Sequence, residues 1–178
     1  MPTATFGLGK IMKIVFSHGK ESGPWGRKIA CLADIAKAHG HQIESIDYRH
    51  TLDPESRIEH LLTKLTAIDD NQIVLVGSSM GGYVSTVVAQ NLAPQGLFLM
   101  APAFYLPGYV EQNPLAPLCP VTIVHGWRDD IVPVDNAIRF ARGNRCALHI
   151  IDSDHGLGDS LDCVASIFSD FIEKITID

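Results

Sequence analysis

The sequence predicts an α/β protein built around a mainly parallel sheet of about six strands, and two observations support this prediction. Six short apolar runs recur along the 178 residues, and the segments between them have the spacing of amphipathic helices. The runs do not alternate between apolar and polar residues, which is typical of strands buried on both faces of a parallel sheet. They are residues 13–16, 43–47, 73–76, 96–100, 121–124 and 148–151. Alternating strands and helices favour right-handed crossovers that place helices on both faces.

Three of the connecting segments have apolar residues at spacings of three and four, as in a helix with one buried face. The first begins at Trp25 and stops before Gly40, and the second follows Asp53-Pro54, a cap and first-turn signal. The expected faces are Trp25, Ile29, Leu32 and Ala36; Ile58, Leu61, Leu62 and Leu65; and Leu161, Val164, Phe168, Phe171 and Ile175. Residues 101–120 contain five of the ten prolines and are expected to form an extended loop or a short helix between turns.

Length and charge restrict the function. A chain of 178 residues can bury one core but is too short for two ordinary domains, so residues 1–178 are expected to form a single domain. The formal net charge of −6, with no cluster of Lys and Arg, argues against a nucleic-acid partner. The longest apolar region, 97–110, is interrupted by Pro102, Pro107 and Gly108, and no signal-peptide core is found. We therefore expect a cytoplasmic protein with a small-molecule partner and no membrane partner, and the oligomeric state is left open.

The four cysteines give no sign of a metal or redox site. They are far apart and show no C-x-x-C spacing, so neither zinc binding nor a redox pair is indicated. Without an export signal they are expected to be free thiols. These residues are Cys31, Cys119, Cys146 and Cys163.

The pentapeptide Gly77-Ser78-Ser79-Met80-Gly81 lies between an apolar run and a helix-like stretch. When G-x-S-x-G lies between a strand and the helix that follows it, a sharp turn lifts the central serine out of the sheet and exposes its oxygen. A serine nucleophile needs an adjacent base that is itself oriented by a third group. Because parallel strands end at the same edge of a sheet, we expect these partners to follow later strands. Asp129, with Asp130 beside it, follows the fifth run, and His155 follows the sixth.

In this order, the motifs resemble those of the α/β-hydrolase superfamily over nearly the whole chain. The resemblance rests on G-x-S-x-G, on an H-G-x-x-D-x-x-V-P pattern at residues 125–133, and on the late histidine in Asp154-His155-Gly156. It implies that Ser79 is the nucleophile, that His155 is the base and then the acid, and that Asp129 orients the imidazole. It also implies a single-domain α/β-hydrolase fold and a reaction that requires no metal or organic cofactor.

The resemblance extends to an oxyanion hole. In the family a His-Gly pair follows an early strand, and here it is His18-Gly19. The backbone N–H groups of Lys20, or of Gly19, and of Met80 would be the donors. The spatial strand order that brings this loop to the serine is 2-1-3-4-5-6. Because His18 and His125 precede glycines at strand ends, we expect structural roles for both.

Two departures from the family pattern concern the access to the site. The leading antiparallel hairpin of the family is missing, since residues 1–12 are too short to supply it. No helical cap domain is present, and only the loop at 101–120 occupies its place, which would leave the pocket open or covered by a short flap. The aromatic residues of this loop could line a pocket or pack onto the body. They are Phe104, Tyr105 and Tyr109.

The sequence therefore predicts a serine hydrolase that cleaves small carboxylic esters through an acyl-enzyme. A thioesterase or amidase with the same triad is the alternative enzyme, and a non-catalytic binding domain on the hydrolase fold is the alternative from another class. Asp130, then Asp154, are the competitors for the acid. Ser79 could instead cap a helix or contact a phosphate, although neither a phosphate-loop nor a dinucleotide motif accompanies it.

Overall fold

The computed structural model describes residues 10–68 and 72–177, and its centre is one parallel sheet. The strands are β1 (Lys13–Ser17), β2 (Gln42–Ile46), β3 (Ile73–Ser78), β4 (Gly96–Met100), β5 (Val121–Gly126) and β6 (Ala147–Ile151). All five neighbouring pairs are parallel, in the spatial order β2-β1-β3-β4-β5-β6. The predicted fold class and strand order are confirmed. The expectation of a missing hairpin concerns residues 1–12, of which 1–9 lie outside the described residues.

Among the described residues, four α-helices lie between strands, a fifth follows β6, and together they cover both faces of the sheet. They are α1 (Arg27–Ala38), α2 (Pro54–Leu65), α3 (Met80–Ala89), α4 (Val134–Asn144) and α5 (Leu161–Ile177). One core contains buried side chains of α2, α3 and α4, and the other contains those of α1 and α5. In the second core the ring of Phe98 on β4 lies 5.0 Å from that of Phe168 and 5.4 Å from that of Phe171. Burial of each such side chain contributes about 1.5–3 kcal/mol. No helix of the described residues is both long and apolar enough to cross a bilayer.

The sheet's two outer strands depart from the expected burial. Strands β1, β3, β4 and β5 are buried along nearly their whole length, as their apolar runs predict. Strands β2 and β6 are only partly buried, so the prediction of burial on both faces is wrong for them. Among the described strands each has a neighbour on one side only and lies at the edge of the sheet, where the helices cover less of its surface.

The predicted helices are present, with one difference at the start of the first. Trp25 is 52% exposed in the turn before α1, so its expected place on the buried face is wrong. Pro24 and Gly26 flank it, and the helix begins only at Arg27. The second helix starts as predicted, since Asp53 accepts a 2.8 Å hydrogen bond from the amide of Ser56. The remaining expected face residues are buried, except for the partly buried Leu62.

Residues 101–120 form an irregular loop without a helix, and the loop is attached to the body of the protein. The hydroxyl of Tyr83 donates to Glu55 at 3.0 Å and accepts from the amide of Glu111 at 3.0 Å. The side-chain amide of Asn136 on α4 donates to the carbonyl of Phe104 at 2.8 Å. These bonds join the loop to α2, α3 and α4, so it lies against the domain.

The aromatic side chains of this loop pack onto the body. Phe104 is fully buried and stacks on Phe140 of α4, with ring centroids 4.3 Å apart. Tyr109 meets the ring of Tyr83 edge-on at 4.6 Å. The guanidinium of Arg139 lies 3.9 Å above the ring of Tyr105. Of the two roles left open for these residues, packing accounts for the contacts that they make.

Candidate active site

Ser79 lies in a sharp turn between β3 and α3. Its backbone has φ 54° and ψ −119°, a conformation that favours glycine. The turn requires small neighbours, because a Cβ at Gly77 would overlap the backbone of Gly81, and a Cβ at Gly81 would overlap the carbonyl of Ser17. The strand, the turn and the first turn of α3 are therefore in close contact, and Ser79 is at the carboxyl end of the sheet.

The structure brings the three residues predicted for catalysis into one hydrogen-bonded chain. The Oγ of Ser79 lies 2.9 Å from Nε2 of His155, and Nδ1 of His155 lies 2.8 Å from Oδ2 of Asp129. An ionised carboxylate only accepts hydrogen bonds, so Nδ1 carries the proton and Nε2 has a free lone pair facing the serine hydroxyl. This tautomer is the one that a base needs in order to accept the serine proton.

The Asp129 carboxylate is fully buried and accepts three hydrogen bonds. Oδ1 accepts from the amides of Ile131 and Val132 at 2.9 and 2.8 Å. Oδ2 accepts from Nδ1 of His155 and lies 3.0 Å from Nε2 of His125. Burial alone would raise the pKa of Asp129, but the interactions with His125, His155 and the Val132 amide outweigh it and hold the pKa well below its usual range.

The two competing carboxylates have other environments. Asp130 is exposed to solvent, while Asp129 beside it faces the imidazole. Asp154 accepts a hydrogen bond from the amide of Leu157 at 3.1 Å and so closes the turn that contains His155. Neither of the two makes a hydrogen bond to His155 among the described residues.

The loops that carry the acid and the base are held against each other. The amide of Arg128 donates to the carbonyl of Ser153 at 2.9 Å, and its guanidinium binds Asp152 at 2.7 Å and Asp159 at 2.8 Å. At Gly126 the two backbones come so close that a Cβ would overlap the carbonyl of Ser153. Because the ion pairs are exposed, each contributes only about 0–1 kcal/mol. The backbone contact is therefore the main constraint on the distance between Asp129 and His155.

The expected oxyanion donors lie next to the serine. A Cβ built on Gly19 would be 3.5 Å from the Cβ of Ser79, so the loop after β1 packs directly on the nucleophile. The amides of Gly19, Lys20 and Met80 have no hydrogen-bond acceptor among the described residues. Met80 is the first residue of α3, and such amides have no partner within their helix. These groups are available to an anion, and the helix N-terminus adds a partial positive charge.

His18 is fully buried and makes two structural hydrogen bonds. Its Nδ1 donates to the carbonyl of Gly19 at 2.8 Å, and its Nε2 accepts from the amide of Tyr48 at 3.0 Å. Burial is the main influence and lowers the pKa of His18. The neutral ring therefore joins the loop after β1 to the end of β2, as expected for a structural role.

His125 lies closer to the chemistry than the sequence indicates. Its Nε2 donates to the carbonyl of Val132 at 2.9 Å and also faces Oδ2 of Asp129. Its Nδ1 is buried and has no hydrogen-bond partner among the described residues. His125 thus holds the loop that carries Asp129 from its inner side, and among the described residues it makes no hydrogen bond to Ser79 or His155.

The sequence reasoning missed one charged residue beside the site, Arg57. Its side chain is completely buried, and it donates hydrogen bonds to the loop that contains Gly19 and Lys20. The available sequence signal was that Arg57 precedes Leu61 by four residues and Leu65 by eight. This spacing places a charged residue on the apolar face of α2.

A cavity of about 560 Å³ lies away from these residues, at the opposite edge of the sheet, where β5 and β6 begin. Cys119 and Cys146 are among its lining residues. Burial raises the pKa of Cys119 to about 12 and that of Cys146 to about 11, so both thiols are weak nucleophiles at neutral pH. The described residues contain no group of three or more His, Cys, Asp or Glu side chains that could hold a metal ion.

Comparisons with known proteins agree with this architecture. The model of a family described as "Uncharacterised protein family (UPF0227)" matches residues 13–115. A candidate hydrolase of the α/β superfamily from Xanthomonas campestris is 28% identical, with a TM-score of 0.84 over 94% of this chain and 98% of that chain. A second Xanthomonas campestris structure, described as an α/β serine hydrolase without a lid, is 17% identical. Its TM-score is 0.69 over 98% of this chain and 86% of its own, which supports the shared fold.

One relative has a named activity. The bovine (Bos taurus) mitochondrial protein palmitoyl-protein thioesterase ABHD10 is 22% identical in an alignment 232 positions long, which covers 94% of this chain and 75% of the bovine protein. The similarity therefore extends over nearly the whole chain, including the segments that carry the three residues described above.

Proposed function

Because the chain belongs to the uncharacterised protein family UPF0227, within the α/β-hydrolase superfamily, we propose that it is a serine hydrolase that cleaves small carboxylic esters through an acyl-enzyme. The observation that carries the proposal is the continuous hydrogen-bonded chain from Ser79 through His155 to Asp129. Its distances of 2.9 and 2.8 Å fit proton transfer without rearrangement of the side chains.

In the proposed reaction the Oγ of Ser79 attacks the carbonyl carbon of the ester while its proton passes to Nε2 of His155. The oxygen of the tetrahedral intermediate accepts hydrogen bonds from the amides of Lys20, or Gly19, and Met80. Each such donor typically contributes about 2.7–4 kcal/mol to the stability of the transition state. Collapse of the intermediate breaks the ester C–O bond, and the leaving alkoxide takes the proton from His155. Water then repeats the sequence on the acyl-enzyme and releases the carboxylic acid.

Asp129 remains ionised throughout the proposed cycle. Its lowered pKa means that it neither takes nor gives a proton near neutral pH. It keeps the His155 ring in the reactive tautomer and stabilises the imidazolium that forms when the serine proton arrives. The two backbone amides on Oδ1 hold the carboxylate in place during these steps.

A thioester is the alternative substrate, and one observation favours it. The bovine relative is named a palmitoyl-protein thioesterase, and the same triad chemistry would cleave a thioester with a thiolate as the leaving group. A site without a cap domain would suit an acyl group attached to a large carrier. In this chain only the loop 101–120 would occupy the place of a cap, and that loop is held against the body of the protein. Amide substrates require the same steps but have a poorer leaving group.

The proposal is tested first by labelling with a fluorophosphonate probe, followed by mapping of the modified residue. We expect covalent labelling at Ser79, with loss of labelling and of ester hydrolysis in Ser79→Ala. Ser78→Ala is the matched control and should remain active and labelled. An active Ser79→Ala enzyme, or labelling at Ser78, would assign the nucleophile elsewhere.

The bond that is cleaved is tested by comparing three substrate series on the purified protein. They are p-nitrophenyl esters, acyl-coenzyme A thioesters and acyl p-nitroanilides of matched chain length. A higher kcat/KM for the esters supports the esterase, and a higher value for the thioesters supports the alternative. No turnover in any series and no labelling of the folded protein would favour a non-catalytic binding domain.

The cytoplasmic location expected from the sequence also stays a prediction. The bovine relative carries a mitochondrial name, which makes an organelle the competing location. Subcellular fractionation of cells that express the natural protein at its normal level distinguishes the two.

A further inference from the structure

The largest fully buried side chain among the described residues is a positively charged one, that of Arg57 on α2. It shares the inner stripe of this helix with Leu61 and Leu65, both buried in the core. A charged side chain at such a position is unusual, because Arg is almost never fully buried unless it is paired.

Arg57 forms hydrogen bonds to backbone carbonyls only. Its Nη1 donates to the carbonyls of His18 at 3.2 Å and Gly19 at 3.1 Å, and its Nη2 donates to that of Lys20 at 3.2 Å. Its Nε donates to the carbonyl of Thr51 at 3.1 Å. The guanidinium carbon also lies 5.1 Å from the centre of the Tyr48 ring. Among the described residues no carboxylate pairs with this charge.

Burying a cation without a carboxylate is unfavourable for stability. Burial lowers the pKa of Arg57, which reflects the free energy that the charged form loses in this environment. Replacing Arg57 by an apolar residue would remove this cost but would leave the carbonyls of His18, Lys20 and Thr51 without this donor. Three of its four partners are the consecutive carbonyls of His18, Gly19 and Lys20, so the arginine constrains the loop after β1.

The carbonyl contacts determine where the amides of the loop point. In a trans peptide the C=O of one residue and the N–H of the next point in opposite directions, and all peptide bonds of the described residues are trans. The carbonyls of His18 and Gly19 point towards Arg57, so the N–H groups of Gly19 and Lys20 point away from it. Gly19 packs against Ser79, so these N–H groups border the place where the oxyanion would form.

We propose that Arg57 is a positioning residue for the oxyanion hole. It holds the peptide groups after His18 and Gly19 with their amides directed to the reaction, and its charge polarises those peptides so that each N–H becomes a stronger donor. This inference rests on the proposed serine hydrolase activity. Arg57 contacts neither Ser79 nor His155 among the described residues, so its effect reaches the substrate through the loop.

The expected effect is partial because the loop has other contacts. The carbonyl of Gly19 also accepts from Nδ1 of His18 at 2.8 Å and from the hydroxyl of Ser22 at 3.4 Å. Complete loss of one oxyanion donor lowers kcat by about 10²–10³-fold, which sets the upper limit. We expect Arg57→Met to lower kcat by about 30–300-fold, within that limit, and to change KM by less than about threefold, because the interaction is made in the transition state.

The test uses Arg57→Met, Arg57→Lys and the control Arg49→Met. Arg49 is exposed, and among the described residues its side chain makes hydrogen bonds only to Asp47, so its removal deletes the same charge without removing a hydrogen bond to Gly19 or Lys20. Steady-state kinetics are measured on the best ester substrate, together with the Kd of a reversible trifluoromethyl ketone, whose adduct with Ser79 places an oxyanion in the hole. Circular dichroism and the Tm of each variant report on folding.

We expect Arg57→Met to weaken the binding of the trifluoromethyl ketone by about the same factor by which it lowers kcat. Arg57→Lys should recover part of the affinity and part of kcat, because one ammonium can reach fewer carbonyls than a guanidinium. Arg49→Met should retain wild-type kcat and inhibitor affinity. A lower Tm together with unchanged kcat and Kd in the folded Arg57→Met protein would show a structural arginine and overturn the proposal. If Arg57→Met does not fold, wild-type kcat and Kd in Arg57→Lys would overturn it as well.

The same experiment separates this inference from the function on which it rests. Labelling of Ser79 in the wild type and its loss in Ser79→Ala test the hydrolase itself. If wild type is labelled and active while the Arg57 variants match it, only the positioning role fails. If the folded wild type is neither labelled nor active, the proposed function fails, and the positioning role fails with it.

Discussion

Replacing Asp129 by asparagine keeps the size of the side chain but removes one of its two acceptor oxygens. The amide has one oxygen and one NH2 group, so its oxygen can accept either from the amides of Ile131 and Val132 or from His155, but not from both sides. If the oxygen keeps the backbone amides, His155 must accept at Nδ1 and carry its proton on Nε2. That tautomer cannot take the proton of Ser79, and the equivalent change in a Ser-His-Asp enzyme lowers kcat by about 10⁴-fold.

The cost in stability is smaller than the cost in activity. His125 keeps its bond to the carbonyl of Val132, and His155 is partly exposed and can turn towards solvent. Net loss of one hydrogen bond to a charged group corresponds to about 1.5–3 kcal/mol. A domain with about 5–15 kcal/mol of stability remains folded at 25 °C after such a loss. We therefore expect a folded Asp129→Asn protein with kcat reduced about 10⁴-fold, or about 5.5 kcal/mol in the activation barrier.

The assay combines steady-state ester hydrolysis with urea unfolding of wild type, Asp129→Asn and the control Asp130→Asn. The exposed Asp130 should change stability by less than about 0.5 kcal/mol and leave kcat within about twofold, as surface substitutions do. A folded Asp129→Asn protein with kcat within tenfold of wild type would refute the reasoning. A larger loss in Asp130→Asn would move the acid to that residue.

The pH dependence of stability gives a second measurement. The pKa of Asp129 is lower in the folded protein than its ordinary value of 3.8, so ionisation favours folding above that value. This contribution is lost as the pH falls through the folded-state pKa. The difference in unfolding free energy between wild type and Asp129→Asn should therefore be constant near neutral pH and shrink below about pH 4. A difference that stays constant down to pH 2.5 would contradict the assigned bonds.

Three further substitutions test the packing around the site. Gly81→Ala introduces a Cβ that overlaps the carbonyl of Ser17, and we expect a loss of about 1–3 kcal/mol or more in urea unfolding, together with reduced kcat. Gly143→Ala is its matched control, because it lies in α4 with nothing within 4 Å of the new Cβ, and it should stabilise the protein by about 0.5–1 kcal/mol. Tyr83→Phe removes the bonds to Glu111 and to α2, so faster amide hydrogen exchange at 109–113 is expected with kcat nearly unchanged. Unchanged exchange there would show that the loop is held by other contacts.

The sequence was sufficient to predict the fold and to predict that Ser79, Asp129 and His155 lie together, because each has a local signature. The apolar runs identify the strands, and a parallel arrangement brings the ends of β3, β5 and β6 to the same edge of the sheet. The pattern at 125–133 distinguishes Asp129 from Asp130, since only one side chain of an adjacent pair can face the imidazole. The catalytic roles themselves stay predictions until the variants are measured.

The remaining features depend on contacts without a sequence signature. Arg57 binds backbone carbonyls, and a carbonyl is present at every residue, so no motif identifies its partners. The attachment of the loop by Tyr83 and Glu55 joins residues on three separate segments. The exposure of Trp25 depends on where α1 begins, a boundary that apolar spacing does not define.

The backbone conformation of Ser79 affects which substitutions are favourable at this position during evolution. Its φ of 54° is unfavourable for a side chain, and bonds from its amide to Met100 and from Ala103 to its carbonyl hold it there. Glycine adopts this conformation without strain, so Ser79→Gly should make the protein more stable while removing the hydroxyl. A protein selected only for stable binding, and not for catalysis, would gain stability from this single substitution. Serine at position 79 is therefore the residue expected where catalytic turnover, rather than stability, limits fitness.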